Sequence, residues 1–102
     1  INPLQKGHTL VIPKKEDDYI FNLDDATYSG LMMTAKKIAA AIKESTNCKR
    51  VGVTVLGMEV PHVHIHLVPM NSEKDMLFSN PKMELSKEEF EAIAADIAKR
   101  VK

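Results

Sequence analysis

Pro61-His62-Val63-His64-Ile65-His66-Leu67-Val68-Pro69 places three of the chain's four histidines at every second position. Extended backbone has a side-chain period of two, so His62, His64 and His66 share one face of a strand and Val63, Ile65 and Leu67 share the other. One face reads as chemistry and the other as core. Proline is tolerated at the first position of a strand but not in its interior, so Pro61 and Pro69 are expected to bracket the run.

Working outward from this stretch, Arg50 to Leu56 carries Val51, Val53 and Val55 at alternate positions, a second strand interrupted only by Gly52. Gly57-Met58-Glu59 reads as a short turn, making the two strands an antiparallel hairpin. Further upstream, His8-Thr9-Leu10-Val11-Ile12 is rich in β-branched and apolar residues and stops at Pro13, which gives another strand with His8, Leu10 and Ile12 on one face. Between them, Tyr19 to Leu23 suits a short helical turn. A long helix is expected from Asp24, because Asp24 or Asp25 can cap its free N–H groups, and Leu31, Ala35, Ile38 and Ile42 form an apolar stripe. It should stop near Ser45-Thr46-Asn47. Downstream, Met70 to Leu85 reads as a long polar loop. Ser86-Lys87-Glu88-Glu89 is a capping box opening a helix along Phe90, Ile93, Ala94, Ile97 and Val101. The expected order is strand, helix, strand, strand, helix.

A length of 102 residues suits one domain, spanning 1–102, with a modest core. Its 44% hydrophobic and 27% charged residues are those of an ordinary globular protein. Fourteen basic residues balance fourteen acidic ones, leaving no global field to draw in nucleic acid or an anionic membrane. No apolar run approaches the roughly 18 residues of a membrane span, and no signal-peptide pattern is present. The single cysteine, Cys48, has no internal disulfide partner, which fits a reducing compartment, so the cytoplasm is the expected location.

Three imidazoles in a core would leave many ring nitrogens needing partners, so the row calls for a chemical reading. His-x-His on a strand is a good pair of zinc ligands. A third is awkward, because the outer Cα atoms lie roughly 13 Å apart while each ligand must reach one ion at about 2.1 Å. A zinc site would use two of the row with His8 or Glu59 and leave the third unexplained. Covalent catalysis by imidazole is the other reading: the middle ring attacks an electrophile, while its neighbours orient it and contact phosphate oxygens and leaving group. Histidine suits this, since it titrates near neutrality and a carbonyl on its second nitrogen fixes the tautomer.

His62-Val63-His64-Ile65-His66-Leu67-Val68 resembles the His-φ-His-φ-His-φ-φ signature of the histidine triad family of nucleotide hydrolases and transferases. Asn2-Pro3, followed by Gly7-His8-Thr9-Leu10-Val11-Ile12-Pro13-Lys14, is similar to that family's other marked stretch, where a fourth histidine joins the site. The resemblance runs from Ile1 to the final helix and points to Hint-like bacterial members. The uridylyltransferase branch replaces the third histidine by glutamine, so His66 favours a hydrolase.

The resemblance implies an α+β fold with an antiparallel sheet, a long helix and a C-terminal helix, and a two-fold homodimer. It implies that His64 attacks the α-phosphorus and forms a nucleotidyl-histidine, that His62 and His66 flank it, and that His8 supports the site. Substrates would be purine nucleoside phosphates or phosphoramidates, adenylates and dinucleoside polyphosphates, with no required metal or organic cofactor. Family members carry a further segment ahead of the position of Ile1. The domain is therefore expected to be N-terminally incomplete, with Ile1 a remnant of the base-contacting wall. Before the triad, Gly57 matches a phosphate-contacting loop, but Met58 stands where glutamine is common, and Glu59 would either steer a leaving-group amine or orient a histidine, or be a solvated turn residue. A binding or protein-interaction module with weak or lost catalysis is the alternative.

Overall fold

A computed structural model describes residues 3–58 and 60–102. Strand β1, Thr9–Val11, is followed by a 3-10 turn at Ile20–Asn22 and helix α1, Asp25–Thr46. Strands β2, Arg50–Thr54, and β3, Ile65–Met70, come next, then a second 3-10 turn at Glu73–Met76 and helix α2, Lys87–Arg100. The sheet is antiparallel in the order β1-β3-β2, so β3 is central. The class is α+β, as the resemblance implies. Among the described residues, no helix is long and apolar enough to cross a membrane.

The expected caps form. The Asp24 carboxylate accepts from Thr27 N–H at the start of α1, Asn47 ends it in the left-handed region at φ 56°, and Ser86 with Glu89 makes the capping box of α2. Leu31, Ala35 and Ile42 of α1 are buried against Val11, Val63, Ile65 and Leu67, with Ile38 partly buried beside them. Ile97 anchors α2 to this core.

Three expectations are corrected. The histidine stretch is not a strand bracketed by prolines: β3 starts only at Ile65 and contains Pro69. Pro61 has no N–H to give a ladder, and the Val63 N–H is diverted to the Asp17 carbonyl at 2.8 Å, so pairing begins later. Pro69 is tolerated because β1 reaches only as far as Leu67 through Thr9, leaving β3 with one strand neighbour there. The connection from β2 is likewise no short turn but the stretch 55–64. Finally, the loop after β3 contains the capped 3-10 turn Glu73–Met76, which packs against β3. The histidine-bearing face is therefore partly covered, and Val68, which shares parity with His66, is fully buried.

Candidate functional site

The alternation read from the sequence survives the loss of regular strand. Val63, Ile65 and Leu67 are 1%, 0% and 0% exposed, while His64 is partly open and His62 exposed on the other side. Burying these three side chains stabilises the fold by roughly 1.5–3 kcal/mol each and fixes which way the imidazoles point. His66 lies in β3 between Leu10 of β1 and Thr54 of β2 and is 8% exposed.

His8 enters from the other marked stretch. Gly7 turns the chain at φ 99°, a conformation that side-chain-bearing residues rarely adopt, and His8 N–H donates to the Gln5 carbonyl at 3.0 Å. The His8 ring then lies 5.2 Å from that of His66, centroid to centroid, and the His66 ring 4.8 Å from that of His64.

Hydrogen bonds assign the protons in this cluster. Leu4 N–H donates to His8 Nδ1 at 3.0 Å, so that nitrogen is an acceptor and the neutral ring carries its hydrogen on Nε2. His8 Nε2 lies 3.0 Å from His66 Nδ1 and donates to it, which puts the hydrogen of neutral His66 on Nε2. His64 Nδ1 lies 2.7 Å from the His62 carbonyl oxygen. A carbonyl only accepts, so His64 Nδ1 carries a hydrogen, and in the neutral ring the lone pair is on Nε2.

Burial pushes His66 down to about 4, with His8 and His64 adding to the effect. His8 is lowered as well, first by burial and then by the nearby Lys82 ammonium. The His8–His66 pair is therefore neutral near neutral pH, a chain of oriented donors ending on His66 Nε2.

The structure brings His8, His64 and His66 together, while His62 contributes through its carbonyl. Gly57, at φ 77°, borders a separate hollow of about 380 Å³ lined by Tyr19, Phe21, Tyr28, Val53 and Leu56 among others, none of them a histidine. Ile1 and Glu59 lie outside the described residues. Among the described residues, no three His, Cys, Asp or Glu side chains are arranged to hold a metal ion. Sequence reasoning missed two participants: the Leu4 N–H, which no side-chain pattern reveals, and Phe78. The Phe78 ring stands edge-on to His66 at 4.9 Å, and its only sequence signal is being a lone aromatic in a polar loop.

The central strand and its approach thus set the His64 ring, which when neutral carries a lone pair on Nε2, beside the hydrogen-bonded His66–His8 pair. The HIT domain profile matches residues 1–73, and the chain belongs to the histidine triad family. It is 31% identical to an uncharacterized HIT-like protein of Borreliella burgdorferi over 99% of this chain and 78% of that one. It is 32% identical to an adenosine 5′-monophosphoramidase of Schizosaccharomyces pombe over 100% of this chain and 78% of that protein. Its fold matches the crystal structure of a Hit-like protein from Bartonella henselae with a TM-score of 0.81, at 26% identity, over 98% of this chain and 75% of that one.

Proposed function

We propose that the protein is a nucleotide hydrolase that cleaves a P–N or P–O bond at the α-phosphate of purine nucleoside 5′-phosphoryl compounds, through a nucleotidyl-histidine. The observation that carries this reading is the His64–His62 carbonyl hydrogen bond, which in the neutral ring places the hydrogen on Nδ1 and the lone pair on Nε2. In this reading the Nε2 lone pair forms a bond to the α-phosphorus as the bond to the leaving group breaks. The leaving group departs with the electron pair and takes up a proton from a water molecule on the exposed His62 side, leaving hydroxide to the solvent. Nδ1–H, held by the carbonyl, bears the positive charge that develops on the ring. His66 Nε2–H donates to a phosphate oxygen, and His8 holds His66 in that tautomer. Water then attacks phosphorus, loses a proton and releases the nucleoside monophosphate, restoring His64.

Family membership and a relative named as a phosphoramidase support hydrolysis of this class. The same reading takes the protein as a homodimer, for which Tyr19, Phe21, Val53 and Leu56, all half or more exposed beside edge strand β2, offer an apolar face.

The test is incubation with an adenosine phosphoramidate, scoring an acid-labile phosphorus adduct and release of the monophosphate. His64→Ala is expected to lose the adduct and at least about a thousandfold in turnover. Wild type turning over no faster than His64→Ala would end the hydrolase reading.

A further inference from the structure

Residues 71–85 return across the sheet and bring Phe78 onto the histidine pair. Its ring meets His66 edge-on, with centroids 4.9 Å apart and planes at 81°, and meets His8 at 6.4 Å and 82°. The segment is pinned. Asn80 N–H donates to the Leu77 carbonyl at 3.0 Å, and Asn80 Nδ2 to that of Lys74 at 2.7 Å. The Lys82 ammonium donates to the carbonyls of Phe78 and Asn80 and lies 5.8 Å from the Phe78 centroid. Met83 N–H donates to the Pro3 carbonyl at 2.8 Å, one residue before the Leu4 N–H that holds His8. The stretch that orients His8 and the stretch that carries Phe78 are thus tied together.

We propose that Phe78 is a positioning residue whose ring closes the His8–His66 hydrogen bond against water, keeping the donor order Leu4 to His8 to His66 intact during nucleotide hydrolysis. The inference rests on the hydrolase reading only for its effect on turnover. The physical reason lies in what water would do at that edge. A water molecule can donate to His66 Nδ1 or accept from His8 Nε2, replacing the direct bond and letting His66 rotate or take up a proton. A proton on His66 Nδ1 would face the His8 Nε2 hydrogen. His8 cannot reverse its tautomer, because its Nδ1 is occupied by the Leu4 N–H. The groups facing the pair are His64 on the approach to β3 and Lys82 with Phe78 on the return segment, and an added positive charge on the pair is opposed by Lys82 as well as by burial.

The experiment follows the histidine ring C–H resonances by NMR against pH in the full chain, for wild type, Phe78→Ala and Phe78→Leu. In wild type, His66 should titrate near pH 4. In Phe78→Ala its midpoint should rise by about one pH unit or more, whereas Phe78→Leu, which keeps apolar cover, should stay within roughly half a unit of wild type. Amide shifts of β1 and β3 check the fold, and Phe78→Gln carries the same comparison should Phe78→Ala not fold. An unmoved midpoint in the uncovered variant, or an equal rise in Phe78→Leu, would overturn the proposal. On turnover, the acid limb of kcat/KM should move up with the midpoint. The titration needs no substrate, so rings that behave as expected in a chain without turnover would sink the hydrolase reading and leave the water-exclusion role standing.

Discussion

His8 Nε2 and His66 Nδ1 stand 3.0 Å apart, and the hydrogen between them belongs to His8 because Leu4 N–H already occupies the other side of the His8 ring. Removing the donor should therefore leave His66 buried with an unpaired Nδ1 and no fixed tautomer. His8→Ala is expected to lower kcat/KM for an adenosine phosphoramidate by roughly 10- to 100-fold, the worth of one or two buried hydrogen bonds. Activity equal to wild type would show that His66 needs no such partner.

The depressed titration of His66 makes stability depend on pH with a definite sign. The unfolded histidine binds its proton near 6.5 and the folded one near 4. Between those values the unfolded state holds more protons, so stability is full above about 6.5 and falls as pH drops toward 4. His8, also lowered, adds in the same direction. Thermal unfolding followed from pH 7 to pH 4 should show Tm falling through this window, with a shallower slope in His66→Gln. Parallel slopes would mean that other groups govern the acid sensitivity.

Asp96 clamps the two helices. It accepts from the Ser45 hydroxyl and from Arg100 Nε at 2.9 Å, while Arg100 Nη1 reaches Glu44 of α1 at 2.9 Å. These hydrogen bonds hold the Asp96 carboxyl down to about 2. The resulting stabilisation is present above the ordinary carboxylate value of 3.8 and is lost as pH falls toward 2, a more acidic window than that of His66. Asp96→Asn should lower Tm at neutral pH, and combining it with Ser45→Ala should cost less than the sum of the two. Strict additivity would show that the pair is not coupled.

Ile65, at 0% exposure, stands between His64 and His66 on the opposite side of the chain. Ile65→Ala should cost about 2–5 kcal/mol in urea unfolding, because the helix-packed sheet cannot collapse fully onto the void. A loss below about 1 kcal/mol would mean that this part of the core is loosely packed.

Much of this was legible in the residues. Period-two patterning put Val63, Ile65 and Leu67 inside and the histidines on the opposite side of the chain, and the Asp24 and Ser86 caps marked both helix starts. What the residues hid was long-range competition for backbone groups. Nothing local in Val63 says that its N–H will be captured by the Asp17 carbonyl, yet that bond keeps His64 out of the ladder and frees it to bend back onto the His62 carbonyl. The return of residues 71–85 was equally hidden, because Phe78 finds its partners through the fold rather than through periodicity.

The bond from Leu4 N–H to His8 gives the site an unexpected gauge. Leu4 is 2% exposed, so its amide can exchange with solvent only when residues 3–8 lift away locally. Each such opening also frees His8 to change tautomer. The hydrogen-exchange rate of one backbone amide, read in D2O without substrate, thus clocks how often the row of imidazoles loses its direction, turning a measure of local opening into one of proton order.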